Sequence, residues 1–205
     1  KMRAILAPII AERRQNPDRY DDFLQDFVNG RLKNGQPMDD ETISSLIRAL
    51  MFAGHETTAG QAAWTVIELV NHPEALSRVQ AEVAEYLPAG TPIDAGILRQ
   101  MQNLAWSVRE VERLHPSADV LMRYVSEELE VGEYQVPAGW LVMVMAGYAH
   151  RLPTLFRDPE QFDPLRFAPG RAEDAQHRFA LIGFGGGLHK CAGVNFANNE
   201  MMVVC

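Results

Sequence analysis

The sequence predicts a mainly α-helical fold with small β hairpins and one long irregular segment. Apolar residues recur at three- and four-residue spacing through the first two thirds of the chain, which is the period of helices with one buried side. Alternating apolar residues, typical of strands, are limited to residues 129–145. Residues 150–182 mix prolines and glycines with scattered aromatic side chains and show little period. Irregular chain of that length inside a compact domain is usually functional.

The chain begins with two short helical patterns. They cover residues 1–14 and about 19–29, and Asn16, Pro17 and Asp18 separate them. The proline and its polar neighbours favour a turn, so we expect two helices here and not one.

A break at residues 35–37 precedes the longest expected helix. Asp39 and Glu41 provide a cap and acidic first-turn charge, and the helix runs to about Asn71. At a rise of 1.5 Å per residue its length is roughly 48 Å. Around its middle, residues 50–53 are apolar on every side, so we expect this part to cross the protein core.

The second half of the chain changes from helices to strands. Proline opens the next helix, a second helix ends before another proline, and a Pro-Ala-Gly turn separates two alternating segments. The expected elements are helices at 73–87 and about 103–115, and strands at 129–136 and 140–145 around a turn at 137–139.

Composition limits the class of protein. The 205 residues are 47% apolar and 22% charged, as in a soluble globular protein with a sizeable core. The net charge of −8 argues against a general nucleic-acid binder, which needs concentrated Lys and Arg. Two cysteines indicate a reducing compartment, and no apolar run reaches the roughly 18 residues of a membrane span. We therefore expect a cytoplasmic location.

Both ends of the sequence lie inside helical patterns that have no capping residues. We therefore expect the chain to be part of a longer protein. A membrane anchor in a preceding N-terminal segment stays open, and it would place this part on the cytosolic face of a membrane.

A glycine-rich turn with one cysteine is the strongest functional signal. Residues 185–187 are all glycine, Cys191 follows them, and a helical pattern covers 194–204. Consecutive glycines allow a backbone path closed to other residues and let a flat ligand come close. A helix start favours negative charge, and a thiolate beside a flat cavity is what an axial haem ligand requires.

Other interpretations of this cysteine were weighed. A lone cysteine near such a turn is usually a small buried residue. A zinc site is disfavoured because Cys191 and Cys205 form no Cys-x-x-Cys pair. A phosphate-binding loop is disfavoured because the glycines lack the Gly-Lys-Ser/Thr ending.

The long helix carries a second signal in the string Ala-Gly-His-Glu-Thr-Thr. Glu56 lies next to Thr57 in an apolar stretch, where a carboxylate is costly unless it has partners or a task. Ala53, Thr57 and Gly60 share one side, so a small residue and a hydroxyl can face a flat ligand together. The alternative is a threonine that bonds its own helix carbonyl.

Four motifs occur in order over about residues 20–204. The cysteine loop matches Phe-x-x-Gly-x-x-x-Cys-x-Gly at Phe184, Gly187, Cys191 and Gly193. The helix string matches Ala/Gly-Gly-x-Asp/Glu-Thr-Thr/Ser, and Glu-x-x-Arg and Phe-x-Pro-x-Arg-Phe strings stand between them. In these motifs the chain resembles the cytochrome P450 family.

The resemblance implies one partial domain over residues 1–205, the C-terminal part of the P450 fold, with its long central helix over the cofactor. It implies haem b with the Cys191 thiolate as axial iron ligand. Glu56 and Thr57 would help to deliver protons during oxygen activation, while Ala53 and Gly54 would leave space above the iron.

The same resemblance assigns supporting roles. Glu110 and Arg113, completed by Arg166, would form a structural clamp that holds the irregular segment, or meander, beneath the cysteine loop. Two cations, Arg123 and His189, would hold the haem propionates. Besides Gly187 and Gly193, Phe184 would pack near the thiolate sulfur.

The activity implied is a haem-thiolate monooxygenase that inserts one oxygen atom from O2 into a lipophilic organic substrate. Electrons would come from a ferredoxin or flavoprotein reductase, which Lys190 and Arg178 would help to dock. A thiolate-haem isomerase or dehydratase, a haem-binding sensor, and a fragment inactive as given remain alternatives. Apolar or small candidates for the substrate pocket are Leu50, Ala53, Thr57, Val120 and Leu121.

Details at residues 150–153 and 167–171 are similar to the sterol 14α-demethylase branch of the family. One residue departs from that branch, which typically has His where this chain has Glu56. The departure argues against a sterol substrate.

Overall fold

The computed structural model describes residues 2–205, and the mainly helical fold predicted from the sequence is confirmed. Two compact units divide the chain, the second of which covers Thr57–Cys205. The helices are α1 Met2–Gln15, α2 Phe23–Asn29, α3 Asp40–Asn71, α4 Pro73–Tyr86, α5 Ala95–Leu98, α6 Gln102–Leu114, α7 Ala146–Ala149 and α8 Val194–Val204. The strands are β1 Val120–Tyr124, β2 Leu129–Val131, β3 Tyr134–Val136 and β4 Leu141–Met145. Among the described residues, no helix combines the length and the hydropathy needed to cross a bilayer.

Side-chain caps fix the helix starts in the first unit. The Asp22 carboxylate accepts from the backbone N–H of Gln25, so α2 begins four residues later than the sequence pattern indicated. Asp39 caps α3 as predicted, with its Oδ1 2.7 Å from the backbone nitrogen of Thr42. The small core of this unit contains the side chains of Leu6, Ile10, Val28 and Ile43.

The apolar middle of α3 is exposed in this structure. Met51 is 56% exposed and Phe52 is 85% exposed. The expectation that residues 50–53 cross a core is therefore wrong for the described residues. Apolar residues on every side of a helix indicate that its burial would be favourable, but burial also requires another element to pack against it. No neighbouring element of the first unit covers these two side chains.

The second unit has its own core. Leu69, Val79, Leu104 and Met201 are buried members of it, contributed by α3, α4, α6 and α8. The start of α6 has no side-chain cap of its own. Instead the partly enclosed Glu82 carboxylate accepts from the backbone nitrogens of residues 103 and 104 at 2.7 and 3.1 Å. This contact fixes the end of α6 that precedes the functional residues.

The strands pair differently from the expectation. Residues 129–136 are not one strand, because β2 and β3 form a hairpin around Gly132, whose φ of 59° suits a tight turn. β4 pairs antiparallel with β1, from Val120 opposite Met145 to Tyr124 opposite Leu141. β1 was expected only as an apolar stretch, and its partner lies about twenty residues along the chain, beyond the reach of local patterns.

The segment from 150 to 182 is irregular, as predicted. Short 3-10 turns at Pro164–Phe167 and Glu173–Ala175 are its regular parts. Phe156, Phe167 and Ala180 form a buried cluster inside it. This cluster is small, so polar contacts must supply much of the order of the segment.

Candidate functional site

The cysteine loop folds back on itself through main-chain hydrogen bonds. The backbone N–H of Cys191 donates to the carbonyl of Phe184 at 2.8 Å, and that of Gly185 donates to the carbonyl of Ile182 at 2.8 Å. Gly185 and Gly187 have φ angles of 73° and 62°, in the left-handed region that favours glycine. The turn therefore requires glycine, and it brings Cys191 back beside Phe184.

The surface around the cysteine is open enough for a flat ligand. A Cβ at Gly187 would meet nothing within 4 Å, whereas one at Gly186 would lie 3.1 Å from the ring of Phe179. The Cys191 thiol is exposed, and the side chain of Leu188 is fully exposed beside it. An accessible sulfur, an open glycine and an uncovered apolar side chain fit a haem lying against the loop.

Arg123 and His189, the two cations expected to bind the haem propionates, lie on different elements of the second unit. Arg123 lies in β1, and its Nη1 donates to the carbonyl of Met122 at 2.8 Å. His189 lies exposed in the 3-10 turn Gly187–His189. In the part of the chain that the structure describes, neither side chain forms an ion pair, so both keep charge or donors for another group.

The α3 motif is exposed. Glu56 contacts His55, with Oε1 3.2 Å from Nδ1, and both side chains are mostly in solvent. The expected cost of a buried carboxylate is therefore absent here. In the second unit the Ser117 hydroxyl donates to the carbonyl of Thr57 at 3.0 Å, which ties this turn of α3 to the chain before β1. A Cβ at Gly54 would meet nothing within 4 Å.

Glu110, Arg113 and Arg166 meet in a fully buried cluster, each with an exposed side-chain fraction of 0%. Arg113 makes a bidentate contact with Glu110, from Nε and Nη2, at 2.8 Å for both. Arg166 Nε donates to Oε1 of Glu110 at 2.9 Å. Two guanidiniums thus share one carboxylate, which is the fork-shaped arrangement expected of a clamp.

The clamp also binds the main chain of the irregular segment. Arg113 donates to the carbonyls of His150 and Pro159 at 3.0 and 2.6 Å. Arg166 donates to the carbonyl of Arg157 at 2.8 Å, and both arginines reach that of Gln161. A buried charged cluster therefore satisfies carbonyl groups that have no helix or sheet partner.

Glu173 is a clamp member that sequence reasoning missed. Its Oε2 lies 2.7 Å from Arg166 Nη1, and its Oε1 lies 2.6 Å from Arg171 Nη2. Burial alone would raise the pKa of Glu173, but hydrogen bonds from Arg171 and Arg166 hold it below its usual range. Its carboxylate balances the second guanidinium of the clamp. No motif marks it, because it lies seven residues after Arg166 in irregular chain.

His150 connects the clamp to the cysteine loop. Its ring is fully buried, with Nδ1 3.1 Å from the carbonyl of Arg113 and Nε2 2.9 Å from the backbone nitrogen of Ile182. Since Ile182 donates, Nε2 accepts, and the proton of the neutral ring is on Nδ1. Burial lowers the pKa of His150 to about 4, which keeps the ring neutral.

This shift predicts a pH dependence of folding. Between pH 4 and 6.5 the unfolded chain binds a proton at His150 that the folded protein does not, so stability rises with pH across that window. Because of this residue, the free energy of unfolding should rise by about 3 kcal/mol across that window. We expect His150→Gln to lose that slope when unfolding is measured by denaturant at pH 4.5 and 7. The exposed His177→Gln is the control, and an unchanged slope in His150→Gln would contradict the assignment.

Comparison with known proteins identifies the family of this chain. The family model described as Cytochrome P450 matches residues 1–205. A sterol 14alpha-demethylase from Mycolicibacterium vanbaalenii is 35% identical over 184 residues, which is 89% of this chain and 41% of that protein. A sterol 14-demethylase from Arabidopsis thaliana is 35% identical over 211 residues, covering 100% of this chain and 43% of the relative. The chain thus spans less than half the length of these curated relatives.

A solved structure shows the same fold. The retinoic-acid-bound cyanobacterial CYP120A1 matches with a TM-score of 0.86 and 32% sequence identity, over 99% of this chain and 46% of that one. The whole-chain family match and the structural neighbour indicate the same family. The chain therefore belongs to the cytochrome P450 family.

Proposed function

We propose that this chain is the haem-binding part of a monooxygenase that inserts one oxygen atom from O2 into a lipophilic organic substrate. The observation that carries the proposal is the cysteine loop, where glycines at positive φ return an exposed Cys191 beside Phe184. When bound, thiolate-ligated haem supplies the oxidising chemistry and favours O–O cleavage.

The chain's own residues would hold and shield that group. Cys191 would provide the sulfur ligand, and Phe184 would lie beside it and limit access of water. Arg123 and His189 each present a side chain without an ion pair among the described residues, which suits the carboxylates of haem. Gly187 would leave space for the flat ring, since a Cβ there would meet nothing within 4 Å, and a Cβ at Gly193 would make an ordinary van der Waals contact with the Cys191 sulfur at 3.8 Å.

Proton delivery is assigned to Glu56 and Thr57. Glu56 is exposed in α3 and can take up protons from solvent, and Thr57 follows it directly. A carboxylate and a hydroxyl in sequence can pass a proton inward, because a hydroxyl both donates and accepts. Ala53 and Gly54, one turn earlier, are small enough to leave room for oxygen.

Apolar side chains in each of the two units support a lipophilic substrate class. Val120 is exposed and Leu121 half-buried in β1, and Leu50 is half-buried in α3. Two relatives are named for sterol demethylation, and the structural neighbour binds retinoic acid. We propose a lipophilic substrate of this general kind, with Glu56 arguing against a sterol.

Electrons would come from a ferredoxin or flavoprotein reductase. Arg178 lies over the ring of Phe179 at 5.0 Å from its centroid, and Phe179 packs against Gly186 of the cysteine loop. Lys190 is exposed next to Cys191. These cations suit an acidic donor protein, in the cytoplasm or at the cytosolic face of a membrane.

Replacing Thr57 with alanine tests the oxygen chemistry. Without the hydroxyl, proton delivery falters and reduced oxygen leaves as hydrogen peroxide, so we expect several-fold more peroxide per O2 consumed and less product. The measurement compares O2 uptake, peroxide and product in the reduced, haem-loaded protein. Thr65→Ala is the matched control, since the Thr65 hydroxyl donates to its own helix carbonyl at Gln61.

Two outcomes would contradict the proposal. Unchanged coupling in Thr57→Ala would remove Thr57 from the proton path. Substrate turnover with no O2 uptake would favour the thiolate-haem isomerase or dehydratase.

A further inference from the structure

Glu112 is a partly buried carboxylate that none of the roles above includes. It lies on α6 between the clamp residues Glu110 and Arg113, yet it forms no hydrogen bond or ion pair with either arginine of the clamp. Its carboxylate instead lies against Gly183, and the backbone amides of Gly183 and Phe184 stabilise its charged form. Those two residues lead directly into the cysteine loop.

The contact with Gly183 is close. A Cβ built on Gly183 would lie 2.6 Å from Cγ and 2.8 Å from Oε1 of Glu112. Real Cβ atoms do not approach that closely, and Gly183 is not among the residues at positive φ. A side chain at this position would therefore displace the carboxylate of Glu112 from its place against the loop entry.

Three successive backbone amides face two side chains. The N–H of Ile182 donates to Nε2 of His150, and the amides of Gly183 and Phe184 stabilise the charged form of Glu112. The carbonyl of Phe184 then accepts from the amide of Cys191 at 2.8 Å. Phe184 thus takes part in both interactions, through its own N–H towards Glu112 and its own carbonyl towards Cys191.

The electrostatic surroundings favour an uncharged acceptor. Burial raises the pKa of Glu112 to about 7, which Arg109 and the two amides oppose and Asp174 reinforces. Arg109 forms an ion pair with Asp174, and the negative charge of Asp174 partly cancels the stabilising effect of Arg109 on a charged Glu112. A neutral amide side chain is therefore a close chemical mimic of Glu112 at neutral pH.

We propose that Glu112 is a positioning residue for the haem ligand, which fixes the entry to the cysteine loop through the amides of Gly183 and Phe184. The inference rests on the proposed role of Cys191. Groups that orient a metal ligand without touching the metal contribute on the order of 10-fold to 100-fold in metal-site affinity. We expect losses of that size when the acceptor is removed.

The test compares Glu112→Leu with Glu112→Gln in the haem-loaded protein. Leucine has a similar volume but cannot accept a hydrogen bond from the two amides, so haem affinity and the fraction with the red-shifted ferrous–CO Soret band of thiolate ligation should both fall. Glutamine keeps an acceptor oxygen and should retain both. Glu133→Leu, at an exposed hairpin turn, is the control.

A double variant separates positioning from general stability. Gly183→Ala should weaken haem binding in the wild-type background, because its methyl group collides with Glu112. In a Glu112→Ala background the same change should alter haem affinity little, since the side chain that its methyl group would meet is absent. Hydrogen exchange at the amides of Gly183 and Phe184 gives a readout that needs no haem, and both should lose protection in Glu112→Leu.

Each contrary result has a distinct meaning. Wild-type haem affinity in Glu112→Leu, equal loss in the leucine and glutamine variants, or additive effects in the double variant would overturn the positioning role. If the wild type itself lacks the thiolate band, the proposed function fails. In that case the hydrogen-exchange rates of the two amides still test whether Glu112 interacts with the entry to the loop.

Discussion

Arg166→Ala is expected to abolish the folded, haem-loaded protein. The substitution leaves Glu110 and Glu173 with one partner fewer inside the clamp, and it leaves the carbonyl of Arg157 without its donor. Breaking a buried ion pair by removing one partner costs about 3–5 kcal/mol. That is a large part of the roughly 5–15 kcal/mol that stabilises a whole domain. Arg113→Ala is expected to behave alike, since its guanidinium also binds Glu110 and three carbonyls.

The measurement is soluble yield with haem content, followed by denaturant unfolding of any recovered protein. Arg157→Ala is the control because its side chain is 83% exposed in the same segment. Arg166→Lys should also fail, since an ammonium cannot reproduce the planar set of five donors. A well-folded, haem-loaded protein from either alanine variant would refute the clamp.

Cys191→Ser is expected to eliminate thiolate ligation completely. A serine hydroxyl keeps the shape of the loop, and the backbone hydrogen bond to Phe184 does not involve the side chain. A neutral hydroxyl nevertheless lacks the electron donation that makes thiolate haem reactive. The variant should fold, lose the red-shifted Soret band of the ferrous–CO form and show no oxygen insertion.

Cys205→Ser is the matched control for this experiment. Cys205 ends the chain in a half-buried position, where burial raises the pKa of its thiol and keeps it protonated. Its replacement should leave the spectrum unchanged. Retention of the thiolate band in Cys191→Ser would show that the ligand assignment is wrong.

Local patterns predicted those parts of the fold that depend on local chemistry. The period of apolar residues predicted α3 to Asn71, and the preference of aspartate for helix starts predicted the cap at Asp39. The pairing of β1 with β4 was missed, because it joins segments separated by a hairpin of their own. Strand pairing at that distance depends on which edge is free, and a sequence pattern does not carry that information.

The residues of the site likewise fall into those that motifs predicted and those that only the structure revealed. Motifs led to Glu110, Arg113 and Arg166, and the structure brings the three together. Glu112 and Glu173 carry the same carboxylate but occupy no fixed position of any motif, and only their surroundings distinguish them from solvated surface acids. Phe52 shows the opposite error, since its apolar neighbourhood predicted burial and its side chain is exposed.

The clamp has a consequence for how this protein tolerates mutation. Its arginines hold residues 157, 159 and 161 by their carbonyl oxygens, a group that every amino acid possesses. The side chains at those positions are thus largely irrelevant to the fastening. The few buried charged residues of the clamp must be kept, whereas the side chains of the segment that they hold can change during evolution or be redesigned to bind new partners.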